Sequence, residues 1–559
     1  IMANLNAQAR FASAPLGLDM PRSTFDRSFN YKSTANAGLL NCFMVDEIYP
    51  GDTVDLRAVF MARMTTPVFP VMDSCYLETA VFYVPWRLVW DHWKNFCGEN
   101  DSSQWVEEQE YFVPQQRVDI NSERTIGDLS HQMGIPFNCG IGSTVNGLYH
   151  RAYRLIWNEW FRDQNLQDPV AIIKGDQDND ISYNKLLPVN RVHDYFGSCL
   201  PAPQKGDAVR IALTGSMPVY ASDNASFSAL INTDNSGLVG ADANTGMTWY
   251  NASTHATVTS ANIAVGTSGS YTGETVFASP SSSTGSFGMA PDNLVAETSM
   301  AGIDVATLRL AVQTQRILER LNLGSRYVEF VRNFFGVTSP DGRQQRPELL
   351  GHSKRMINMQ EVPQTSSDFG EVGTPLGTVG AYSKTFDDNC KFTHSFTEHG
   401  CLIGLYWFRH NRSYSQGINR LFRRKRFEDF YVPQLAHIGD QPVYKTELYN
   451  DGDTYHGSAQ DTEIFGYQEA WAELRYKPSV SAGLMDPSVE GTLGTYWTYT
   501  DLYSEPPTLS DEWIREGSAE VQRTLALPGE DQFIIDCNVS YLHTRCLPVF
   551  SIPGLVDHF

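Results

Sequence analysis

The sequence contains none of the short motifs that identify common classes of enzyme. It has no GxxxxGK[ST] phosphate-binding loop, no HExxH zinc-protease motif and no GxSxG nucleophile elbow. No stretch approaches the roughly 18 uninterrupted apolar residues of a membrane-spanning helix, and residues 1–10 lack the apolar core of a secretory signal. We therefore expect neither an enzyme nor a protein inserted in a membrane.

Paired cysteines are also absent. The nine cysteines are odd in number and scattered, and none forms a CxxC pair, so we expect reduced, mostly buried thiols rather than a disulfide framework. One group of four possible zinc ligands has a spacing that fits no standard zinc pattern: Cys390, His394, His399 and Cys401. We predict no metal site and no cofactor.

Basic residues are too few to balance the acidic ones. The chain of 559 residues has 42 Lys and Arg against 64 Asp and Glu, a formal net charge of −22. A protein this acidic repels nucleic acid over most of its surface, so any contact with nucleic acid has to be local. Apolar residues make up 42% of the chain and aromatic residues 12%, which is enough for a large buried core.

Charged and large side chains are rare in one long segment, residues 206–291. Of its 86 residues, 54 are Gly, Ala, Ser, Thr or Asn, six carry a charge, and Trp249 is the one tryptophan. This composition is typical of a flexible linker or of short exposed strands joined by turns. Brief β-like runs such as residues 217–221 favour the second interpretation. We predict a β-rich surface insertion at 206–291 between two parts of one body, 1–205 and 292–559.

The flanking parts contain strand patterns towards both ends of the chain. Residues 75–84 form a nearly continuous apolar run, as expected of a strand covered on both faces. In 533–541, apolar residues alternate with polar ones, the pattern of a half-buried antiparallel strand. Further strands are predicted at 53–64, 401–408 and 466–476, and helices at 86–97, 148–161 and around 310–321. Strands occur towards both ends of the chain, and helices occur only in the segments that connect strands. This arrangement favours a β-sandwich or jelly-roll fold.

One segment concentrates positive charge. From His399 to Phe427 there is no acidic residue, and six aromatic side chains are interleaved with the basic ones. The seven cations are Arg409, Arg412, Arg420, Arg423, Arg424, Lys425 and Arg426. Cations that bind phosphates beside rings that stack on bases are typical of single-stranded nucleic-acid binding. Ion pairs with the many carboxylates of this chain, or with a neighbouring subunit, explain the segment equally well.

Long segments outside 206–291 resemble the major capsid proteins of small single-stranded-DNA microviruses, in particular the gokushovirus group. None of these segments is a catalytic motif. They are YLETAVFYVPWRLVWDHWKNF (76–96), RAYRLIWNEWFRDQNLQDP (151–169), DYFGSCLPAPQKG (194–206), GSRYVEFVRNFFGVTSPDGRQQRPELLG (324–351), FEDFYVPQLAHIGDQPV (427–443) and GYQEAWAELRYKPS (466–479).

The resemblance implies a mainly β fold, a viral eight-stranded antiparallel jelly roll with long loop excursions, several helices and one large surface insertion. It also implies self-assembly into a T=1 icosahedral capsid around circular single-stranded DNA, in the bacterial host cytoplasm. Implied partners are a small basic internal DNA-binding protein, scaffolding and pilot proteins, and a bacterial surface receptor. The insertion would lie between two jelly-roll strands and project at the three-fold axes to contact the host.

A shell has an outer face in solvent and an inner face against the genome, so the seven segregated cations become candidate DNA-facing residues. Within the insertion, the most apolar point is the candidate for a spike tip or host contact: Met247, Trp249 and Tyr250. Two other classes stay open on the residues alone, a β-sandwich carbohydrate-binding or carbohydrate-cleaving protein and a secreted adhesin. Sedimentation separates them, because a capsid protein runs as a large closed particle.

Overall fold

The computed structural model describes residues 22–99, 111–119, 124–206, 219–221, 247–251, 287–291, 294–296, 305–321, 327–336, 345–366, 376–450, 463–527 and 529–550. Its strands are β1 Arg22–Asp26, β2 Phe29–Ala35, β3 Asn41–Ile48, β4 Thr53–Met64, β5 Cys75–Pro85, β6 Gln115–Arg117, β7 Thr144–Asn146, β8 Val219–Ala221, β9 Met247–Asn251, β10 Phe287–Pro291, β11 Leu294–Ala296, β12 Glu348–Met356, β13 Met359–Pro363, β14 Val379–Ser383, β15 Thr385–Ser395, β16 Gly400–His410, β17 Ser413–Tyr414, β18 Asp440–Tyr444, β19 Ile464–Glu469, β20 Ser479–Val480 and β21 Phe533–Cys546.

The α-helices are α1 Trp93–Phe96, α2 Leu129–Gln132, α3 Leu148–Ile156, α4 Val305–Leu321, α5 Tyr327–Phe335, α6 Ala472–Arg475, α7 Gly494–Trp497, α8 Asp511–Ile514 and α9 Ala519–Arg523. Helix α3 continues into one π turn, Trp157–Phe161. Several 3-10 turns connect the other elements, among them Trp86–Leu88, Ile181–Asn184, Arg420–Arg423 and Phe427–Asp429.

Nine of these strands form two antiparallel sheets. The first sheet has the order β2-β21-β4-β15, and β1 continues the edge of β21 that β2 occupies, so the sheet has four strand positions. The second sheet has the order β12-β5-β16-β3. Successive strands β2, β3, β4 and β5 alternate between the sheets, and so do β15, β16 and β21, which is the winding of a jelly roll. The predicted eight-stranded antiparallel jelly roll is confirmed, and so are the predicted strands at 53–64, 75–84, 401–408 and 533–541.

The inward-facing residues of the two sheets form the main core. In β21, Phe533, Ile535 and Cys537 are at most 1% exposed, whereas the residues between them face away from the core. The ring of Phe408 on β16 stacks on Phe533 with centroids 3.8 Å apart, and so joins the two sheets directly. All nine cysteines are free thiols and six of them are buried, as expected for thiols that serve as small apolar core residues.

Strand β5 is buried on both faces, which explains its continuous apolar pattern. Leu77 and Val81 belong to the core between the sheets. Ala80 and Phe82 point the other way and pack with α3 and the aromatic residues around Trp86 in a second core. Residues of the excursion that follows β5, up to Val189, therefore cover the outer face of the second sheet.

The prediction of one helix at 86–97 is wrong. The structure has the 3-10 turn Trp86–Leu88, followed after a turn by the single-turn helix α1. The amide of Asp91 donates to the carbonyl of Lys174 at 2.9 Å instead of bonding within a helix. Burial of the aromatic side chains was predicted correctly for Trp86 and Trp90, which are at most 2% exposed.

The strand predicted at 466–476 is too long. Strand β19 ends at Glu469, and Trp471 has a φ of 64°, a left-handed conformation that no strand contains. The indole of Trp471 is buried and its Nε1 donates to the carbonyl of Leu435 at 2.8 Å. This tertiary contact holds the turn and directs the chain into α6.

The chain divides into two compact units, residues Gly206–Leu318 and the remainder, Ile1–Lys205 with Glu319–Phe559. Within the smaller unit, β8 pairs with β11 and β9 pairs with β10, both antiparallel. The unit begins where the insertion is predicted to begin, and it extends beyond residue 291 to include most of α4. In α4, the apolar side chains of Leu310 and Ile317 are 66% and 50% exposed.

Candidate nucleic-acid interface

The predicted basic segment starts at the end of β16, where Arg409 contacts a carboxylate of the neighbouring strand β5. Arg409 Nε donates to Glu78 Oε1 at 3.2 Å, and Glu78 is 2% exposed. Burial raises the pKa of Glu78, but hydrogen bonding with His352 and the charge of Arg409 lower it by more, to about 2. The charge of Arg409 is therefore neutralised inside the chain.

Arg412 lies in a buried cluster of ion pairs. Its Nη1 is 2.5 Å from Asp501 Oδ1, and its Nη2 is 3.0 Å from Glu516 Oε2. Arg191 donates to the second oxygen of Asp501 at 2.8 Å. The side chains of Arg412, Asp501 and Glu516 are at most 1% exposed. From this position Arg412 reaches no phosphate unless it leaves its carboxylates.

The cluster keeps two buried carboxylates charged. Burial raises the pKa of Asp501, but the charges of Arg412 and then Arg191 hold it well below its usual range. In the same way, burial raises the pKa of Glu516 while Arg412 and His410 lower it by more, to about 2. Asp501 and Glu516 lie in the excursion between β16 and β21, so the ion pairs attach this excursion to the end of β16.

Three further arginines hold a loop against β18, the turn that follows β18 and helix α6. Arg420 donates to a backbone carbonyl of β18 at 2.8 Å, and Arg423 donates to Thr446 Oγ1 at 2.5 Å. Arg424 donates to Glu473 Oε1 at 3.0 Å. All three arginines are only partly buried, so they anchor the loop while part of each side chain still faces solvent.

The tip segment, residues 421–431, combines exposed cations with exposed rings. Lys425 and Arg426 are exposed, and Phe422 and Phe427 are 82% and 74% exposed. The backbone N–H groups of Lys425 and Arg426 both donate to Asp429 Oδ2 at 2.8 Å, which closes a tight turn. A surface with these groups can attract phosphates and stack bases without reading their sequence.

The structure thus divides the seven predicted residues into two groups. Arg409 and Arg412 pair with buried carboxylates, as the ion-pair interpretation requires. The other five belong to one loop, of which the tip segment is the exposed part: Arg420, Arg423, Arg424, Lys425 and Arg426. No local sequence pattern marks the carboxylates Glu78, Asp501 and Glu516, because they are far from the arginines along the chain.

The residues predicted at the spike tip lie on strand β9. This strand pairs antiparallel with β10, and the register pairs are Met247 with Pro291, Trp249 with Met289 and Tyr250 with Gly288. The pairing shows that the apolar point of the insertion is part of a two-stranded ribbon.

Within the described residues, no group of three or more His, Cys, Asp or Glu side chains is placed to hold a metal ion. No helix in the same part of the chain is long and apolar enough to cross a membrane.

Successive strands that alternate between two antiparallel sheets define a jelly roll, an architecture found in viral capsids and in lectins. The comparison with known proteins decides between these classes. The family model of the capsid protein (F protein) matches residues 16–555, and the chain belongs to this family. It is a structural protein of the virion, and the predicted resemblance to microviral capsid proteins is confirmed.

Three relatives match along nearly their whole length, each called capsid protein VP1. The protein of Chlamydia phage 1 is 36% identical over 98% of this chain and 97% of its own. That of Spiroplasma virus 4 is 35% identical over 99% of both chains. That of Bdellovibrio phage phiMH2K is 32% identical over 99% of this chain and 98% of its own.

Proposed function

We propose that copies of this chain assemble into a T=1 icosahedral capsid that encloses circular single-stranded DNA. The observation that carries the proposal is the eight-stranded jelly roll in a chain that matches phage capsid proteins along nearly its whole length. The same architecture without such relatives would leave the carbohydrate-binding or carbohydrate-cleaving alternative open.

Sedimentation and electron microscopy of the purified assembly test this proposal. We expect closed particles of one size, and we expect their measured mass to give the copy number of a T=1 shell. A monomer or small oligomer would contradict the proposal and favour the carbohydrate-related alternative. Nuclease treatment of intact particles tests the content separately, since enclosed single-stranded DNA is protected until the shell is opened.

In this proposal the DNA contacts the loop that contains the five remaining cations, and the tip segment is its most exposed part. The five residues are Arg420, Arg423, Arg424, Lys425 and Arg426. The support is electrostatic. A subunit with a formal charge of −22 repels a polyanion, so an enclosed genome needs local clusters of cations on the inner face. Arg409 and Arg412 are left out of this contact because each compensates a buried carboxylate.

Residues 206–291 form the host-attachment protrusion in this proposal, with Met247, Trp249 and Tyr250 at its tip or in its host contact. Only six of the 86 residues are charged. Copies of such a segment can pack around a three-fold axis without like-charge repulsion, which supports a clustered surface spike. A bacterial surface receptor is the implied partner.

Further partners in this proposal are a small basic internal DNA-binding protein and scaffolding and pilot proteins, with assembly in the bacterial host cytoplasm. A basic internal protein is consistent with the charge balance. Each copy has 42 Lys and Arg against 64 Asp and Glu, so an added polycation would help to neutralise the phosphates of the genome.

A further inference from the structure

A cavity of about 390 Å³ lies between the second sheet and the excursion that follows β5. Side chains of β5, β12 and β16 form its floor, and the π turn with residues 189–193 forms its opposite wall. Arg409, one of the predicted DNA-facing residues, is part of the lining. A cavity of this volume accommodates a small organic ligand.

The π turn at the end of α3 gives the cavity an aromatic wall. Ring centroids of Trp160 and Phe161, adjacent in sequence, both lie close to that of Phe82, at 5.5 and 6.2 Å. Phe161 also contacts Trp407 edge to face at 4.9 Å. Trp160 is 36% exposed, so part of its ring remains accessible for stacking. π turns occur often at functional sites.

Two buried polar atoms of the lining lack partners. Trp407 and Asn190 are 4% and 7% exposed, and neither Trp407 Nε1 nor Asn190 Oδ1 has a hydrogen-bond partner among the residues that the structure describes. The amide nitrogen of Asn190 donates to Phe161 O at 2.9 Å and to Gln167 Oε1 at 2.7 Å, which leaves the amide oxygen as the open acceptor. Unpaired buried groups are costly, so this lining matches a ligand with both an acceptor and a donor.

A cation beside the stacking ring favours an anionic group on that ligand. Three arginines line the cavity, but Arg191 and Arg409 already pair with carboxylates. The guanidinium carbon of Arg346 lies 5.1 Å from the ring centroid of Trp160. A phosphate next to a base on the Trp160 ring would thus meet this cation.

We propose that this cavity receives one unstacked nucleotide of the packaged single-stranded DNA. The base lies against Trp160, accepts a hydrogen bond from Trp407 Nε1 and donates one to Asn190 Oδ1, and its phosphate lies near Arg346. All four bases carry acceptors, donors and a stacking face, so the site takes bases without a strict sequence. The inference rests on the proposed function, since it needs a shell with DNA inside.

High-resolution maps of DNA-filled and empty shells test the proposal directly. We expect planar density against Trp160 in filled shells and none in empty shells. Round, water-like peaks in both maps, or a chain segment of a neighbouring subunit in the cavity, would overturn it. Planar density in both maps would mean that a free nucleotide fills the cavity. This result would overturn the proposal that the bound nucleotide belongs to the packaged DNA.

Ultraviolet crosslinking of filled particles gives a second, independent measurement. We expect nucleotides crosslinked to peptides that contain Trp160 or Trp407, and roughly tenfold fewer of them in Trp160→Ala, because the stacking face is lost. Trp407→Phe keeps the ring and removes the N–H, and should also lower the yield. Trp497→Phe is the matched control, since Trp497 Nε1 has no hydrogen-bond partner among the described residues and lies outside this cavity.

Normal DNA content without crosslinks at these peptides would overturn the nucleotide site and leave the enclosure of DNA intact. Particles that contain no DNA at all would instead overturn the proposed function.

Discussion

Arg412 and Asp501 form an ion pair with a nitrogen–oxygen distance of 2.5 Å, and each side chain is 1% exposed. The pair joins the end of β16 to a residue 89 positions later. A charge at such a depth is tolerated only while its partner remains in place. The basic segment therefore has two parts, a buried part that fastens a long excursion to the jelly roll and an exposed part at the tip segment.

Replacing Arg412 with alanine should destabilise the subunit by about 3–5 kcal/mol, because Asp501 and Glu516 then stay buried without their cation. Denaturant unfolding of unassembled subunits measures this change. The control is Arg475→Ala, since the pair of Arg475 with Glu469 is about half exposed and should contribute less than about 1 kcal/mol. Equal losses in both variants would contradict the assigned role of the cluster.

Acid should weaken the same cluster in a defined pH range. The pKa of Glu516 is about 2 in the folded chain and about 4.3 in an unfolded one. The folded pKa is depressed, so the stabilisation is complete above the unfolded value and is lost as the pH falls from about 4.3 towards 2. The unfolding free energy of Glu516→Gln should show a smaller decrease over this range than that of the natural chain. Parallel curves would show that Glu516 does not contribute.

Gly404→Ala should destabilise the core by about 1–3 kcal/mol through overpacking. The register between β16 and β3 shifts next to Gly404, and a β-carbon there would lie 2.5 Å from the ring of Phe43. Phe43 packs edge to face on Phe60 at 5.0 Å and has little room to move. Thermal unfolding measures the loss. Gly380→Ala is the control, because the nearest neighbour of its new β-carbon would be 3.8 Å away.

Charge reversal at the tip segment should lower the DNA content of assembled shells. The double variant Lys425→Glu with Arg426→Glu removes two exposed cations and adds two anions that repel phosphates. Nucleic-acid absorbance per particle, with electron microscopy of the shells, measures the effect. Arg57→Glu with Lys391→Glu is a matched control, because these exposed residues are cross-strand neighbours on β4 and β15.

The control pair carries the same change in charge at another surface. Loss of DNA in the control but not in the tip variant would move the DNA contact to the outer face of the first sheet. Failed assembly of the tip variant, with a normal control, would mark the tip segment as a contact between subunits.

Deletion of residues 206–291 should spare shell assembly and abolish adsorption to host cells. Assembly is expected to persist because the eight jelly-roll strands lie outside the deleted segment. Particle counts bound to cells, compared with free particles, measure adsorption. Substitution of alanine for Met247, Trp249 and Tyr250 in the intact insertion should reduce adsorption as well, and unchanged adsorption of the deletion would rule out the attachment role.

Strand positions were predictable because burial follows directly from the local pattern of side chains. The alternation in 533–541 predicts β21, and the apolar run in 75–84 predicts β5 with both faces covered. The helix at 86–97 failed for a tertiary reason, the hydrogen bond from the Asp91 amide to the Lys174 carbonyl. A contact between such distant residues leaves no trace in a local pattern.

The sequence shows the basic segment, but it does not show which of its cations are neutralised by ion pairs. Glu516 lies 104 residues after Arg412, and Glu78 lies 331 residues before Arg409, so only the folded chain shows which cations are neutralised. The cavity beside Trp407 was unpredictable for the same reason, since its walls come from three strands and a π turn that are far apart in sequence.

Strand β21 lies between β2 and β4 in the first sheet and pairs with both along most of its length. It is also the last of the eight strands to leave the ribosome. A nascent chain that has reached residue 532 still has a gap at the centre of this sheet, with unpaired edges on β2 and β4. Synthesis of β21 is thus a precondition for a closed sandwich, and a chain that ends before this strand cannot present the finished surface that shell assembly needs.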